Sequence, residues 1–312
     1  MKPRSKWWLL LLLVSLLLLF SACTPTPNCV VNYTVTKEED TNDGVCSSLD
    51  CSLREAVLNA NACPGPHTIT LPAGGYTLTI PGINEDAGET GDLDITKDLT
   101  IIGVGAPSIS GNIDRSFHIH SPAMVTMDGI WLANGTAIFG GGLINEGELY
   151  LSSFTCNYNS VEIPPGGMGD AMGGCIFNTG ELTILGGNFL ANTAGYGGAI
   201  YNYDSAQITI ENSDFTGNEA DHLGGAIWNG LNADLNIHGT SFRLNESDLH
   251  GGGIWNHGDL EGVDLYFEDN QAAGNGGGVF VWADSFTTFT NTWFTLNTAD
   301  LGGGLYNDNG MV

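Results

Sequence analysis

Two carboxylates, Asp221 and Asp248, stand three residues before the Gly-Gly pairs at Gly224 and Gly251, with His222 and His250 beside them. If consecutive repeats stack at strand spacing, about 4.8 Å, these carboxylates fall near the separation of about 5–10 Å that glycoside hydrolysis uses. Repetition alone also places them, as solvated corner residues, and that is the expected outcome. Two acidic loops invite a second chemistry. Asp40, Asn42 and Asp43 form one, and Glu85, Asp86, Glu89, Asp92 and Asp94 the other. Hard oxygen donors suit Ca2+, yet neither loop has the spacing of an EF-hand, so solubilising charge runs are expected instead. No residue pattern calls for a cofactor.

Charge narrows the partners. The chain has 8 Lys+Arg against 35 Asp+Glu, a formal net charge of -27. After Lys6 the basic residues are Lys37, Arg54, Lys97, Arg115 and Arg243. A polyanionic sugar would be repelled, and nucleic acid requires a basic footprint that is missing. Neutral glycans and protein surfaces remain. Trp228 and Trp255 share a repeat position with Phe177, Tyr201 and Tyr306. Strand alternation turns this row away from its aliphatic neighbours, either outward to stack on sugars or a partner protein, or against corner loops.

The elements that must position these residues are repeats. Gly-Gly followed by an aliphatic and a bulky residue begins at Gly140, Gly173, Gly197, Gly224, Gly251, Gly276 and Gly302, in steps of 33, 24, 27, 27, 25 and 26 residues. An aromatic-x-x-Asn motif interleaves at Trp131, Phe154, Phe189, Phe215, Phe242, Phe267 and Phe294. Each unit holds three short β-prone runs separated by Gly, Asn and Asp, as in 224–229, 234–237 and 241–245, with no helical period. No unit buries its apolar face alone, and helices would be broken by 45 Gly. The expected fold is all-β, a right-handed parallel β-helix with a short N-terminal capping helix. Leu143, Ile176, Ile200, Ile227, Ile254, Val279 and Leu305 should form an aliphatic ladder, and the Phe residues 154 to 294 a second. Asn145, Asn178, Asn202, Asn229, Asn256 and Asn307 should stack at a corner, with a gap where Val281 replaces Asn.

At the N-terminus Lys2, Arg4 and Lys6 precede an uncharged run from Trp7 to Phe20, which reads as a secretory signal too short to span a bilayer. Ser21-Ala22-Cys23 resembles a bacterial lipoprotein signal, which implies a lipid on Cys23 and a membrane tether. Residues 1–22 are then signal, 23–29 tether, 30–130 the capped N-terminal part and 131–312 the repeat part. Six cysteines remain, an even number suited to disulfides outside the cytosol. They contain no C-x2-C pair to suggest zinc. Cys156 and Cys175 flank an insertion between Asn157 and Gly173, so a bridge at its base is expected. Cys46 is expected to pair with Cys51, and Cys29 with Cys63.

Ser52-x-x-Glu55 is a capping box that should start a helix through Val57, Leu58 and Ala60, ended by Pro64-Gly65. Around it, Cys51-Ser-Leu-Arg-Glu-Ala56 resembles the CSLREA domain of large secreted bacterial proteins, over roughly residues 33–102. The repeats resemble those of chlamydial polymorphic outer membrane proteins, which pair G-G-A-I with F-x-x-N. Both resemblances imply a right-handed parallel β-helix at the cell surface, and neither implies an activity. The chlamydial proteins end in a membrane β-barrel. Here the chain ends at Val312 without one and without a cap on the last rung, so the lipid would serve as anchor. The expected function is binding, adhesion or envelope scaffolding at the surface. A polysaccharide-active enzyme of the pectate-lyase-like β-helix class, using Asp221 and Asp248, is the alternative.

Overall fold

The computed structural model describes residues 29–44, 46–83, 85–112, 114–162 and 170–312. The expected signal, residues 1–22, and Cys23 lie outside the described residues, as do residues 163–169 of the insertion. The chain winds as a right-handed parallel β-helix in which every rung climbs onto the one before it. One rung shows the plan. Ile227–Asn229 lies on the Gly-Gly face, Asp234–His238 on a long face, Ser241–Arg243 on a phenylalanine face and Glu246–Ser247 on a short face. The faces stack into sheets of nine, ten, nine and six strands. The short face is one strand more than the three expected per rung. Its strands are as brief as two residues, too short to carry a readable alternation.

The interior follows the sequence pattern. Leu143, Ile176, Ile200, Ile227, Ile254, Val279 and Leu305 pair one to one across rungs, and Phe117 and Leu93 extend the ladder toward the N-terminus. Phe189, Phe215, Phe242, Phe267 and Phe294 stack with successive centroids 4.5, 4.9, 4.7 and 5.0 Å apart. Burying each such ring contributes about 1.5–3 kcal/mol.

Two motif copies fall out of register. Cys156, not Phe154, pairs with Phe189, and Leu132, not Trp131, pairs with Cys156. Asn159 therefore holds the ladder place expected for Asn157, while Trp131 is exposed. The reason is the bridge between Cys156 and Cys175, which occupies the interior volume a phenylalanine fills in later rungs. Phe154 is still buried, two residues earlier in the rung.

Polar ladders hold the corners. Asn145, Asn178, Asn202 and Asn229 each donate from Nδ2 to Oδ1 of the next, ending on Asn256, at 2.7–2.9 Å. Val281 interrupts the row as expected, and Asn256 turns instead to the Thr287 hydroxyl at 3.0 Å. A second ladder runs through Asn159, Asn192, Asn218, Asn245, Asn270 and Asn297. Its amides also reach back to carbonyls of the phenylalanine face, such as Phe215 O from Asn245. All but Asn297 are buried, so each bond replaces water the interior excludes. The first glycine of every pair has φ between 55° and 70°. The second lies so close to the next rung that a Cβ on Gly225 would press into the Gly252 carbonyl oxygen.

A ten-residue helix, α1 (Leu53–Ala62), lies against strands His67–Pro72 and Leu93–Ile95. Both halves of its capping box form. Leu53, Ala56, Val57 and Ala60 are buried against the first rungs, which closes the solenoid interior at this end.

Candidate functional site

The outer side of the Gly-Gly face carries the aromatic row, extended by Phe280, and the pleat does turn it away from the aliphatic ladder. Its rings lie face to face along the solenoid axis. Phe177–Tyr201 centroids are 5.4 Å apart, Tyr201–Trp228 4.0 Å and Trp228–Trp255 5.1 Å, with interplanar angles of 12°, 6° and 10°. Phe280 and Tyr306 continue it at 5.4 Å. Most of the row is covered: Tyr201, Trp255 and Phe280 are buried. Burial, with the nearby Asp204 carboxylate, raises the Tyr201 phenol above its ordinary pKa. The indole Nε1 atoms of Trp228 and Trp255 are sealed without a hydrogen-bond partner.

Two flanking rows provide the cover. Residues one place before each Gly-Gly pair form the first. Phe139 packs 5.3 Å from Phe177, and His250 lies 4.8 Å from Phe280. Residues one place after the asparagine ladder form the second. Tyr203 lies 5.9 Å from Phe177, His257 5.6 Å from Trp255, and Trp282 5.9 Å from both Trp255 and Phe280. Gly230 stands in this second row because Asp204 and the Trp228 ring occupy the space a side chain would need. Tyr203 and Trp282 are exposed, as are Leu231, Leu249 and Leu301 nearby in sequence. The face is thus an apolar band with a packed aromatic floor and exposed aromatic edges, on a molecule otherwise rich in carboxylates. Within the two stacks, Phe177 to Trp255 and Phe280 with Tyr306, neighbouring rings occupy each other's faces, which leaves little π-face for a sugar to stack on.

Asp221 and Asp248 lie at neighbouring places on the short face, where Ala220 pairs with Ser247 just before them. Both are open to solvent, whereas acid–base hydrolysis uses burial or a close like charge to set its two carboxyl groups apart. The adjacent histidines turn to the aromatic band instead. His222 packs 5.0 Å from Tyr196, and Nδ1 of His250 accepts the Asn275 N–H at 3.0 Å.

Around the cap, the acidic loops have partners that oxygen-only reasoning missed. Arg54, fully buried, donates to Asp40 Oδ1 at 2.7 Å and Oδ2 at 3.1 Å, and to the carbonyls of Gly88, Gly91 and Asp92. Asp40 Oδ2 also accepts from the amides of Thr79 and Ile80. Its carboxylate is committed to protein donors. Glu55 accepts from Ser52 N, the Thr41 hydroxyl and Asp43 N, and lies 3.4 Å from Lys37 Nζ. Asp92 lies 3.2 Å from Arg115, and burial pushes its carboxyl up to about 7 against the pull of that guanidinium.

Asp86 and Asp94 gather differently, with His118 and His120. Strand register puts Asp94 opposite His118, and alternation brings His120 to the same side. Asp94 is fully buried and burial raises its carboxyl pKa. Its Oδ1 lies 2.6 Å from His120 Nε2 and 3.5 Å from His118 Nδ1. The two imidazoles lie 3.8 Å apart. Neither histidine stood out in the sequence, although the alternation His118-Ile-His120 was its readable signal.

Three disulfides join Cys29 to Cys63, Cys46 to Cys51 and Cys156 to Cys175. The first two tie the N-terminal strand and its following loop to the ends of α1. The third anchors the insertion.

The fold and this repeat define a class, the right-handed parallel β-helix built from Gly-Gly and F-x-x-N units. The family model of the Chlamydia polymorphic membrane protein repeat matches residues 212–230 and 264–281. Each match spans one Phe-x-x-Asn, at Phe215 and Phe267, and the Gly-Gly pair that follows it. No curated protein and no solved structure matches the chain. Repeat and solenoid together fit a surface-exposed β-helix protein, and the matched family suggests an outer-membrane or surface location.

Proposed function

We propose that this protein is a lipid-anchored binding or adhesion module of the cell surface, displayed through Cys23, whose β-helix presents the aromatic band to a protein partner. The band is the observation that carries this reading. An exposed apolar strip along one face of a rigid column suits an interface. The ring edges and the exposed Tyr203 and Trp282 suit side chains of a protein better than the flat face of a sugar. The surrounding carboxylates favour a partner with basic residues at the rim. The CSLREA-type helix acts in this reading as the cap that starts the solenoid, and its Arg54 and Glu55 order the loops around it. Lipidation rests on the charged start, the apolar run and Ser21-Ala22-Cys23. Protease shaving of intact cells should release solenoid peptides, and mass spectrometry of the mature N-terminus should find diacylglycerol on Cys23. Peptides released only after lysis, or an unmodified N-terminus at another residue, would remove display and anchor from the proposal.

A further inference from the structure

The cluster at the capped end has the makings of a metal site, independent of the function proposed above. Asp86, Asp94, His118 and His120 each offer a donor atom, and these atoms all lie within 4.8 Å of one another. Ligands about 2.0–2.2 Å from a tetrahedral ion stand about 3.3–3.6 Å apart, so contraction of this set by an ångström or so completes a shell. A second observation points to a ligand. Asp94 is 0% exposed, yet its Oδ2 has no hydrogen-bond partner. A buried carboxylate with one bare oxygen lacks the compensation that burial normally demands.

The atoms around Asp94 are already arranged by the fold. Nε2 of His120 and Nδ1 of His118 face its Oδ1, and the opposite nitrogens, Nδ1 and Nε2, lie 3.9 and 3.4 Å from the carboxylate of Glu146. His118 Nε2 is buried without a hydrogen-bond partner, and a slight approach of Glu146 would supply the carboxylate that fixes the tautomer and ring orientation of a ligating imidazole. Asp86 arrives on a loop held by Arg54 through Gly88 O, by Asn42 through Glu89 O, and by Glu85 through the amides of Ala87 and Thr90. We propose that Asp86, Asp94, His118 and His120 bind one divalent transition-metal ion of the zinc class, with Glu146 as the positioning carboxylate. Two imidazole nitrogens discriminate against Ca2+ and Mg2+, which take oxygen shells. Two carboxylates neutralise the dication. The ion would tie the acidic loop to the strands at Asp94 and His118 and so lock the cap to the solenoid.

The test is calorimetric titration of the chelator-treated full chain with Zn2+, with Ca2+ as comparison, and the absorption spectrum of the Co2+ form. Zn2+ should bind with a single equivalent and raise the melting temperature, Co2+ should show tetrahedral absorption, and Ca2+ should compete weakly. His120→Ala, at a side chain 20% exposed, should abolish the Co2+ signature. Glu146→Gln should weaken Zn2+ by about 10–100-fold. His222→Ala and His257→Ala should leave it unchanged. Absence of Zn2+ binding, binding undiminished by the joint change His118→Ala with His120→Ala, or equal affinity for Ca2+ would overturn the assignment. Asp94→Asn should likewise lose the Co2+ signature, and if that variant does not fold, the His120→Ala comparison decides.

Discussion

Replacing Asn229 by Val tests what the asparagine ladder contributes. Asn229 is fully buried, donates to Asn256 Oδ1 at 2.7 Å and accepts from Asn202 Nδ2 at 2.8 Å. Valine fits the place, because Val281 occupies the same register two rungs on and is equally buried. The steric term is therefore small and the polar term is isolated. After the change Asn202 Nδ2 keeps only the carbonyls of Ala206 and Asp234, both at 3.4 Å, and Asn256 Oδ1 keeps the Gly258 amide at 3.3 Å. With about 1–3 kcal/mol for each of the two buried groups left short of a partner, the loss is about 2–6 kcal/mol. At Val281 the Thr287 hydroxyl makes good that loss. The register equivalent of Thr287 in the Asn229 rung is Leu235. Leu235→Thr should accordingly cost less in the Asn229→Val background than alone, a coupling that a double-mutant cycle measures. Chemical denaturation should show a lower midpoint with an unchanged slope. Because rungs couple to nearest neighbours, faster hydrogen exchange should concentrate between residues 200 and 260. A loss under about 0.5 kcal/mol, the range of ordinary surface changes, would refute the claim that the ladder is a major source of stability.

Two further outcomes follow from the corners and the cap. Gly225→Ala should prevent soluble folding or lower the melting temperature sharply, since its Cβ meets the carbonyls of Gly252 and Glu246, whereas Gly186→Ala, with open space around it, should cost only about 1 kcal/mol for its left-handed backbone; thermal melts of the pair check this. For Glu55, burial raises the carboxyl pKa, but the Ser52 amide, Thr41 hydroxyl, Asp43 amide and Lys37 ammonium outweigh it and leave the net value lowered. The stability it supplies is therefore present above the unfolded value of about 4.3 and disappears as pH falls through the folded one. Melting curves of wild type and Glu55→Gln should differ near neutral pH and converge in acid; a gap that persists in acid would contradict this.

What the sequence showed plainly was whatever repeats with the rung. The aliphatic ladder, the Asn corner, the break at Val281 and the glycine pairs are local demands made once per turn, so each copy restates them. Register failed at Phe154 and Trp131 because the interior place there belongs to Cys156 and Leu132, and a disulfide rather than the motif decides it. The short face escaped notice because most of its strands are two residues long and show no period. The aromatic row was legible as a row, but its cover comes from Tyr203, His257 and Trp282, each brought in by the corner rather than by the strand pattern. Arg54 reads as one letter of a helix. Its contacts lie 14 to 38 residues away and exist only after folding. His118 and Asp94 meet for the same reason, one rung apart in space and 24 residues apart in sequence.

Binding through the aromatic band, without catalysis at the carboxylates, is best decided by one comparison on the purified solenoid. Wild type, Tyr203→Ala with Trp282→Ala, and Asp221→Asn with Asp248→Asn would each be assayed for adhesion to immobilised cell-surface protein and for reducing sugar released from plant and bacterial polysaccharides. Adhesion should occur in the wild type, survive the change at the two carboxylates and fall at least tenfold, about 1.4 kcal/mol, when the two exposed rings are removed. Sugar release that disappears with Asp221→Asn and Asp248→Asn, with no adhesion affected by Tyr203 and Trp282, would contradict the binding module and make the protein a glycosidase.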